Sequence, residues 1–229
     1  MLIHMTPNVK NPDGRSTRWD DHRESRRVEL VEAAVRAIDR HGPGAGIADI
    51  AAEAGVSKPV LYRFFTDKDD LHAAVGTWAA QLLLSTLAQI ALRDAPLSER
   101  VNQATAAYID LISEHPHGFQ LLVQRPTGGD PFAEGRTMIA ASLSRWLGSS
   151  LRALGADAGG AEPWAYGLVG QALATGEWWL ERRTMSRKAV STYLATFIWH
   201  AFEGIAREYG VDLDDGRPSK PVSPLRKES

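Results

Sequence analysis

The sequence predicts an all-α protein: a small three-helix unit followed by a helical bundle. Three observations predict it. Apolar residues recur at helical spacing along most of the chain, the breaks between those segments are Gly and Pro, and no alternating run bounded by turn residues argues for a strand. The composition is that of a globular protein, with 229 residues, 44% hydrophobic and 24% charged. Lys and Arg number 26 against 28 Asp and Glu, a formal charge of −2 that excludes a strongly basic nucleic-acid coat. The absence of cysteine excludes disulfides, thiolate metal sites and a cysteine nucleophile.

The ends read as loose. Residues 1–18 mix Pro, Asn, Asp and Gly with no apolar run suited to a signal peptide, and residues 212–229 repeat Pro among charges. The expected location is therefore the cytoplasm. Between the ends, residues 19–66 form the first domain and residues 67–211 the second.

The first helix is expected from Asp20 to His41, where Leu30, Val31, Ala34, Val35 and Ile38 make one apolar stripe that Gly42 and Pro43 end. Ile47, Ile50, Ala51 and Ala54 fit about two further turns closed by Gly55, and Ser57 is a good N-cap for a third, short helix. A fourth begins at Thr66 or Asp67, with Thr66 and Asp69 at capping-box spacing, and runs to Arg93. Its segment from His72 to Leu92 has no charge and approaches the length of a membrane span. Thr77, Gln81, Ser85 and Gln89 recur at every fourth position, however, and draw a polar stripe along a helix otherwise buried on most sides. Five more helices are expected: Leu97 to His115, His117 to Gln124, Pro131 to Leu154, Ala161 to Arg183 and Ser186 to Tyr209.

The segment that carries chemistry runs from Ile50 to Lys68: helix, glycine turn, capped helix, start of a long helix. Two short helices at a steep angle can present the second to a DNA major groove. Leu61 and Phe65, four positions apart, face the first two helices, which leaves Lys58, Pro59, Val60, Tyr62, Arg63 and Phe64 toward the outside. Three cations between Ser57 and Lys68 against Asp67 give a local charge of +2.

These residues, Ile50-Ala51, Ala54-Gly55-Val56-Ser57, Leu61-Tyr62, Phe65 and Lys68, resemble the DNA-binding signature of the TetR family of repressors. The resemblance implies a homodimeric regulator that binds double-stranded DNA at an inverted repeat and is released by a small molecule, with no cofactor. By position it makes Ser57 to Phe65 the recognition helix, with Tyr62 and Lys68 on phosphates. Phosphate contacts position the protein without reading sequence. Arg63 is the long donor suited to guanine O6 and N7, and Val60 and Pro59 suit a thymine methyl. Gly46 stands where relatives often carry Thr, which leaves a backbone N–H as the contact there. Phe64 stands where many carry His, implying fewer phosphate bonds. The arginines at 15, 18, 23, 26 and 27 form a candidate arm for an adjacent minor groove.

The resemblance places dimerisation on the last two helices. Gly167, Gly170 and Ala174 permit close backbone approach, and Leu194, Ile198, Ala201 and Ile205 belong to an apolar band too broad for one buried face. The other reading is that both helices are core. Two readings also stand for the polar stripe: it faces solvent, or Gln81 and Ser85 line a ligand cavity whose aromatic walls include Tyr108, Phe119, Trp146 and Trp178. Seven Trp and few bundle charges suit an apolar or amphipathic effector, an acyl chain for example.

The alternative expectation is an activator or an effector-independent DNA-binding regulator; a protein-binding helical adaptor and an enzyme are weaker ones. The chain has no G-x-S-x-G elbow and no Walker A motif, and Gly42-Pro-Gly44-Ala-Gly46 follows a helix and reads as a helix–helix connection. Glu114, His115 and His117 flank Pro116 and read as a turn; no metal site is expected.

Overall fold

The computed structural model describes residues 14–123, 130–153, 155–211 and 213, with side chains from His22 onward. Among the described residues there are nine helices and no strand.

The first unit comprises α1 (Gly14–His41), α2 (Ile47–Glu53) and α3 (Lys58–Leu61), and it leads into α4 (Lys68–Ala91). The apolar stripe of α1 supplies one side of the first core: Leu30, Ala34 and Ile38 bury against Ile50, Leu61, Phe65 and Leu71. Burial of this kind stabilises by roughly 25 cal/mol per Å² of apolar surface, which outweighs the weak propensity of such short helices. Glu53 of α2 pairs with Arg36 at 3.2 Å and Arg40 at 2.5 Å, fixing α2 on α1. Gly55 has φ +65°, a left-handed turn that lets α3 leave α2 steeply.

Several boundaries depart from the sequence expectation. Helix α1 begins at Gly14 rather than Asp20, so residues 14–18 of the expected loose arm are helical; residues 1–13 lie outside the described residues. Ser57 occupies the N-cap of α3, but its side chain makes no capping bond. The regular turns of α3 stop at Leu61; beyond it Arg63 N–H donates to Val60 O and Phe64 N–H to Leu61 O, a tighter i, i+3 coil. Asp67, not Thr66, caps α4 by accepting from Asp70 N–H at 2.8 Å. The reciprocal partner is Asp70 rather than Asp69: its Oδ2 accepts from the Thr66 N–H at 2.8 Å and from the Thr66 hydroxyl at 2.9 Å.

The second unit adds α5 (Leu97–Glu114), α6 (Pro116–Val123), α7 (Ala133–Ala153), α8 (Ala161–Arg182) and α9 (Arg187–Glu208). Helix α4 packs on α1, α5 and α7, α7 on α8, and α5 on α9, so α4 is the rod that joins the two units. Helix α4 is long and apolar enough to cross a membrane by composition; here it packs on α1, α5 and α7, with part of its apolar side buried among them. The crossing of α4 and α7 is tight because both sides are glycine: a Cβ at Gly135 would lie 2.7 Å from Gly76 O. The expected tail, residues 212–229, lies outside the described residues except for Leu213.

Candidate DNA interface and effector cavity

The helix-turn-helix divides its residues between core and solvent as helical geometry requires. Leu61 and Phe65 are buried, while Tyr62 stands 50% exposed. Ser57, Lys58, Pro59 and Arg63 are exposed as well, Val60 and Lys68 are half-buried, and Lys58 and Arg63 have no ion pair among the described residues. A protruding tyrosine beside two unpaired cations gives a surface that can bond to phosphates and base edges together. The free Ser57 hydroxyl adds a further donor at the start of the helix.

Two expected contacts are corrected. The Gly46 N–H donates to Asp49 Oδ2 at 2.8 Å, so the backbone donor that stood in for Thr is already used within α2. Phe64 packs its ring against the first core and is half-buried, because the tight turn after Leu61 rotates it inward.

The arm arginines are redistributed too. Arg26 pairs with Glu29, and Arg27 reaches Asp70 at 3.6 Å while lying over the Phe65 ring at 4.9 Å. Arg27 therefore fastens α1 to the start of α4. The side chains of Arg15 and Arg18 lie outside the described residues, and Arg23 is exposed. The Thr66 backbone bond, aided by the Thr66 hydroxyl and by Arg27, holds the Asp70 carboxyl below its ordinary value of 3.8.

Behind this unit, α4 to α9, with Val35 of α1, line an apolar cavity of about 590 Å³ that is open on one side. It runs beside α4 from Val75 to Ala91, roughly 24 Å at 1.5 Å per residue. Of the expected ligand contacts, Tyr108, Phe119 and Trp146 are on its wall. The Tyr108 hydroxyl donates to Ala172 O at 2.7 Å, and burial pushes its pKa up. Gln81, Ser85 and Trp178 are corrected. Gln81 and Ser85 are exposed, and Ser85 turns its hydroxyl back to Leu82 O at 2.8 Å. The polar stripe thus faces solvent, and the opposite side of α4, including Trp78, Leu83 and Leu87, lines the cavity. Trp178 points outward at 37% exposed, while its neighbour Trp179 is buried and donates its indole N–H to Met185 O.

Sequence reasoning missed five polar wall residues, Thr105 and Ser142 and the three titratable ones, Arg100, His115 and Arg136. Their helical positions place them beside apolar neighbours, the one signal available, but no period marks a charged residue as facing inward. His115 joins the cavity to the first unit: its Nδ1 meets Asp39 Oδ2 of α1, and its ring meets Trp78 edge-on at 6.0 Å.

The last two helices carry two apolar faces each. Leu194 is buried, Ile198 lines the cavity, and Ile205 lines a smaller hollow of about 90 Å³ beside Trp146. Within one chain, then, Leu194 packs inside, and Ile198 and Ile205 are half-buried beside the two hollows. Gly167, Gly170, Ala174 and Ala201 lie on the outer face with Tyr166, Trp178, Tyr193 and Phe197, the last two 68% and 63% exposed. The spacing 193, 197, 201 was the signal that could have separated the two faces.

Comparison with known proteins finds a family match in each part of the chain. Residues 30–75 match the family described as "Bacterial regulatory proteins, tetR family", and residues 86–211 match "Tetracyclin repressor-like, C-terminal domain". An HTH-type transcriptional regulator of Mycobacterium tuberculosis is 35% identical over 217 residues, 93% of this chain and 92% of its own. The HTH-type transcriptional activator FasR of Mycolicibacterium smegmatis is 29% identical, over 83% of this chain and 89% of its own. Among solved structures, a TetR-family regulator from Rhodococcus sp. superposes with TM-score 0.65 at 19% identity, over 77% of this chain and 98% of that one. The regulator FadR of Bacillus subtilis, in complex with stearoyl-CoA, does so with TM-score 0.56 at 18% identity, over 74% of this chain and 95% of that one. Signature, fold and relatives agree: the chain belongs to the TetR family of helix-turn-helix transcriptional regulators and is not an enzyme.

Proposed function

We propose that the protein is a homodimeric repressor that holds an inverted-repeat operator in the cytoplasm and releases it when a long-chain, acyl-type effector fills the bundle. The observation that carries this reading is the apolar cavity of about 590 Å³, within the roughly 300–1,000 Å³ usual for ligand sites, laid along the helix that continues from the recognition unit. FadR of Bacillus subtilis, a structural neighbour, holds stearoyl-CoA.

Two recognition helices reading successive major-groove turns must sit about 34 Å apart, so the assembly is twofold. The outer face of α8 and α9, with Tyr193 and Phe197 standing free, suits that pairing. A ligand that fits the cavity better in one tilt of α4 shifts the population of tilts and thereby the spacing of the two heads. A coupling of about 1–3 kcal/mol, roughly 5- to 150-fold in affinity, suffices for switching.

Within this surface, Arg63 reads a base, Tyr62, Lys68 and Ser57 hold phosphates, and Lys58 adds charge. Pro59 and Val60 offer apolar contact to a thymine methyl. A second reading, activation, is favoured by the relative of Mycolicibacterium smegmatis named as an activator. Selection of bound sequences from random DNA, with and without stearoyl-CoA, tests the proposal. The expected result is an inverted repeat that stearoyl-CoA disperses; enrichment of non-palindromic sites alone would overturn the dimer. Transcription from a promoter carrying the selected site then separates repression from activation.

A further inference from the structure

The cavity wall is apolar with a few charged exceptions, and none of its lining residues is Asp or Glu. Its polar groups are mostly satisfied by the protein. His115 meets Asp39, Tyr108 donates to Ala172 O, Thr105 donates to Val101 O, and Arg136 pairs with Asp130 and donates to Leu122 O. Among the described residues three buried side-chain atoms lack a hydrogen-bond partner: Asp39 Oδ1, His72 Nε2 and Arg100 Nε. Of these three residues only Arg100 lines the cavity.

Arg100 sits in the first turn of α5, at the end of the cavity farthest from the DNA-binding unit, where α4 finishes. Its Nη1 donates to Ala91 O at 2.9 Å, which fixes the plane of the guanidinium against the end of α4. The donors left over are Nε–H, which is shut off from solvent in the unliganded protein, and Nη2–H; turned toward the cavity, this edge takes a carboxylate in two parallel bonds. A guanidinium is always charged, and a buried donor left without an acceptor favours any ligand that brings one. From this geometry we propose that Arg100 anchors the carboxylate of a long-chain fatty acid whose tail runs along α4 toward Trp78. The inference rests on the proposed effector reading and narrows it: the preferred ligand is the free acid rather than a neutral lipid or a thioester. The chain's far end then lies beside His115, the residue that touches α1.

Trp78 and Trp146 line the cavity, so their fluorescence reports occupancy in the full-length protein. Stearate, stearyl alcohol and stearoyl-CoA share one tail and differ at the head. Wild type is expected to bind stearate about tenfold or more tightly than stearyl alcohol, the size of a charge-assisted hydrogen-bond gain. Arg100→Gln should remove that preference and leave the alcohol's affinity within about twofold, while Arg100→Lys retains part of it. Thermal melts without ligand check that both variants are folded, and the wild-type comparison stands without them. Acid and alcohol binding equally to wild type, an acid preference surviving Arg100→Gln, or stearoyl-CoA binding where stearate does not would each overturn the assignment and leave the acyl-effector reading standing. Failure of all three ligands to bind wild type would overturn both.

Discussion

Asp39 at the end of α1 and His115 at the end of α5 lie 76 positions apart in sequence and meet Oδ2 to Nδ1 at 2.7 Å. His117 adds a second tie, Nδ1 to Asp39 O at 3.1 Å. Arg36 and Arg40, on the same last turns of α1, grip Glu53 of α2. These contacts join the cavity wall to α1 and through it to α2, so on the proposed effector reading a displacement of His115 would reach the helix-turn-helix by this route. This is a physical connection with two polar contacts, and its coupling is measurable.

Asp39→Ala should leave the unliganded protein bound to its operator and reduce the effector's power to release it by about 5-fold or more, the low end of usual allosteric coupling. Fluorescence anisotropy of labelled operator, titrated with stearoyl-CoA, reads both quantities. Unchanged release would show that the signal bypasses this contact.

The proposed roles of Arg63 and Lys68, one on a base and one on a phosphate, predict different outcomes on substitution. Arg63→Ala should relax preference at one position per half-site and cost about 1–3 kcal/mol on the preferred base. Lys68→Ala should weaken all sequences alike and flatten the salt slope by about one unit. Anisotropy titrations over a series of salt concentrations distinguish them, and uniform weakening by Arg63→Ala would move that residue to a phosphate.

The helix-turn-helix was legible because its signals are local. Gly55 needs a left-handed turn, Leu61 and Phe65 share a face, and Tyr62 and Arg63 then have to point away. The second unit was legible as helices but not as a site. Helix α9 is apolar on both sides, and periodicity does not say which side meets the cavity; Leu194 and Ile198 line it within the chain, while Tyr193 and Phe197 stand on the other side. On α4 the polar stripe was visible, and only the packing on α7 and α5 decided that it looks outward. The pairings of Asp39 with His115 and of Gly76 with Gly135 join distant segments, and no short-range pattern announces them.

Phe197 and Tyr193 test the assembly. A charge at Phe197 is tolerated by a free monomer, since the side chain is 63% exposed there, but not in a dimer core. Phe197→Glu should weaken self-association by about 2 kcal/mol or more, about thirtyfold, with helical content retained. Sedimentation velocity and circular dichroism check it. An unaltered dimer would place the interface elsewhere.

The α4–α7 crossing predicts a cost for the smallest possible substitution. Gly135→Ala puts a methyl against Gly76 O, which is backbone and has no rotamer to yield. Helix α7 must shift, at about 1–3 kcal/mol, lowering Tm by about 2–4 °C per kcal/mol for a chain of this size. Calorimetry that finds no change would mean that the helices slide apart freely, and the cavity between them would then be soft.

His72 supplies a pH dependence whose sign follows from its burial. It lies 7% exposed on α4, stacked on Phe132 at 5.9 Å, with Nε2 unpartnered. Burial, reinforced by Lys68 and opposed by Asp69, lowers its pKa below the ordinary 6.5. The folded protein thus holds His72 neutral at pH values where the unfolded chain already binds a proton. The stability this contributes is complete above pH 6.5 and declines as pH falls through 6.5 toward the lower folded value. Urea unfolding between neutral pH and mildly acid pH should therefore show stability falling, with part of that slope absent in His72→Phe, which keeps a ring of similar shape and cannot titrate. Identical slopes in the two proteins would show that the imidazole is hydrated in the folded state, and that α4 and α7 separate enough at Phe132 to admit water.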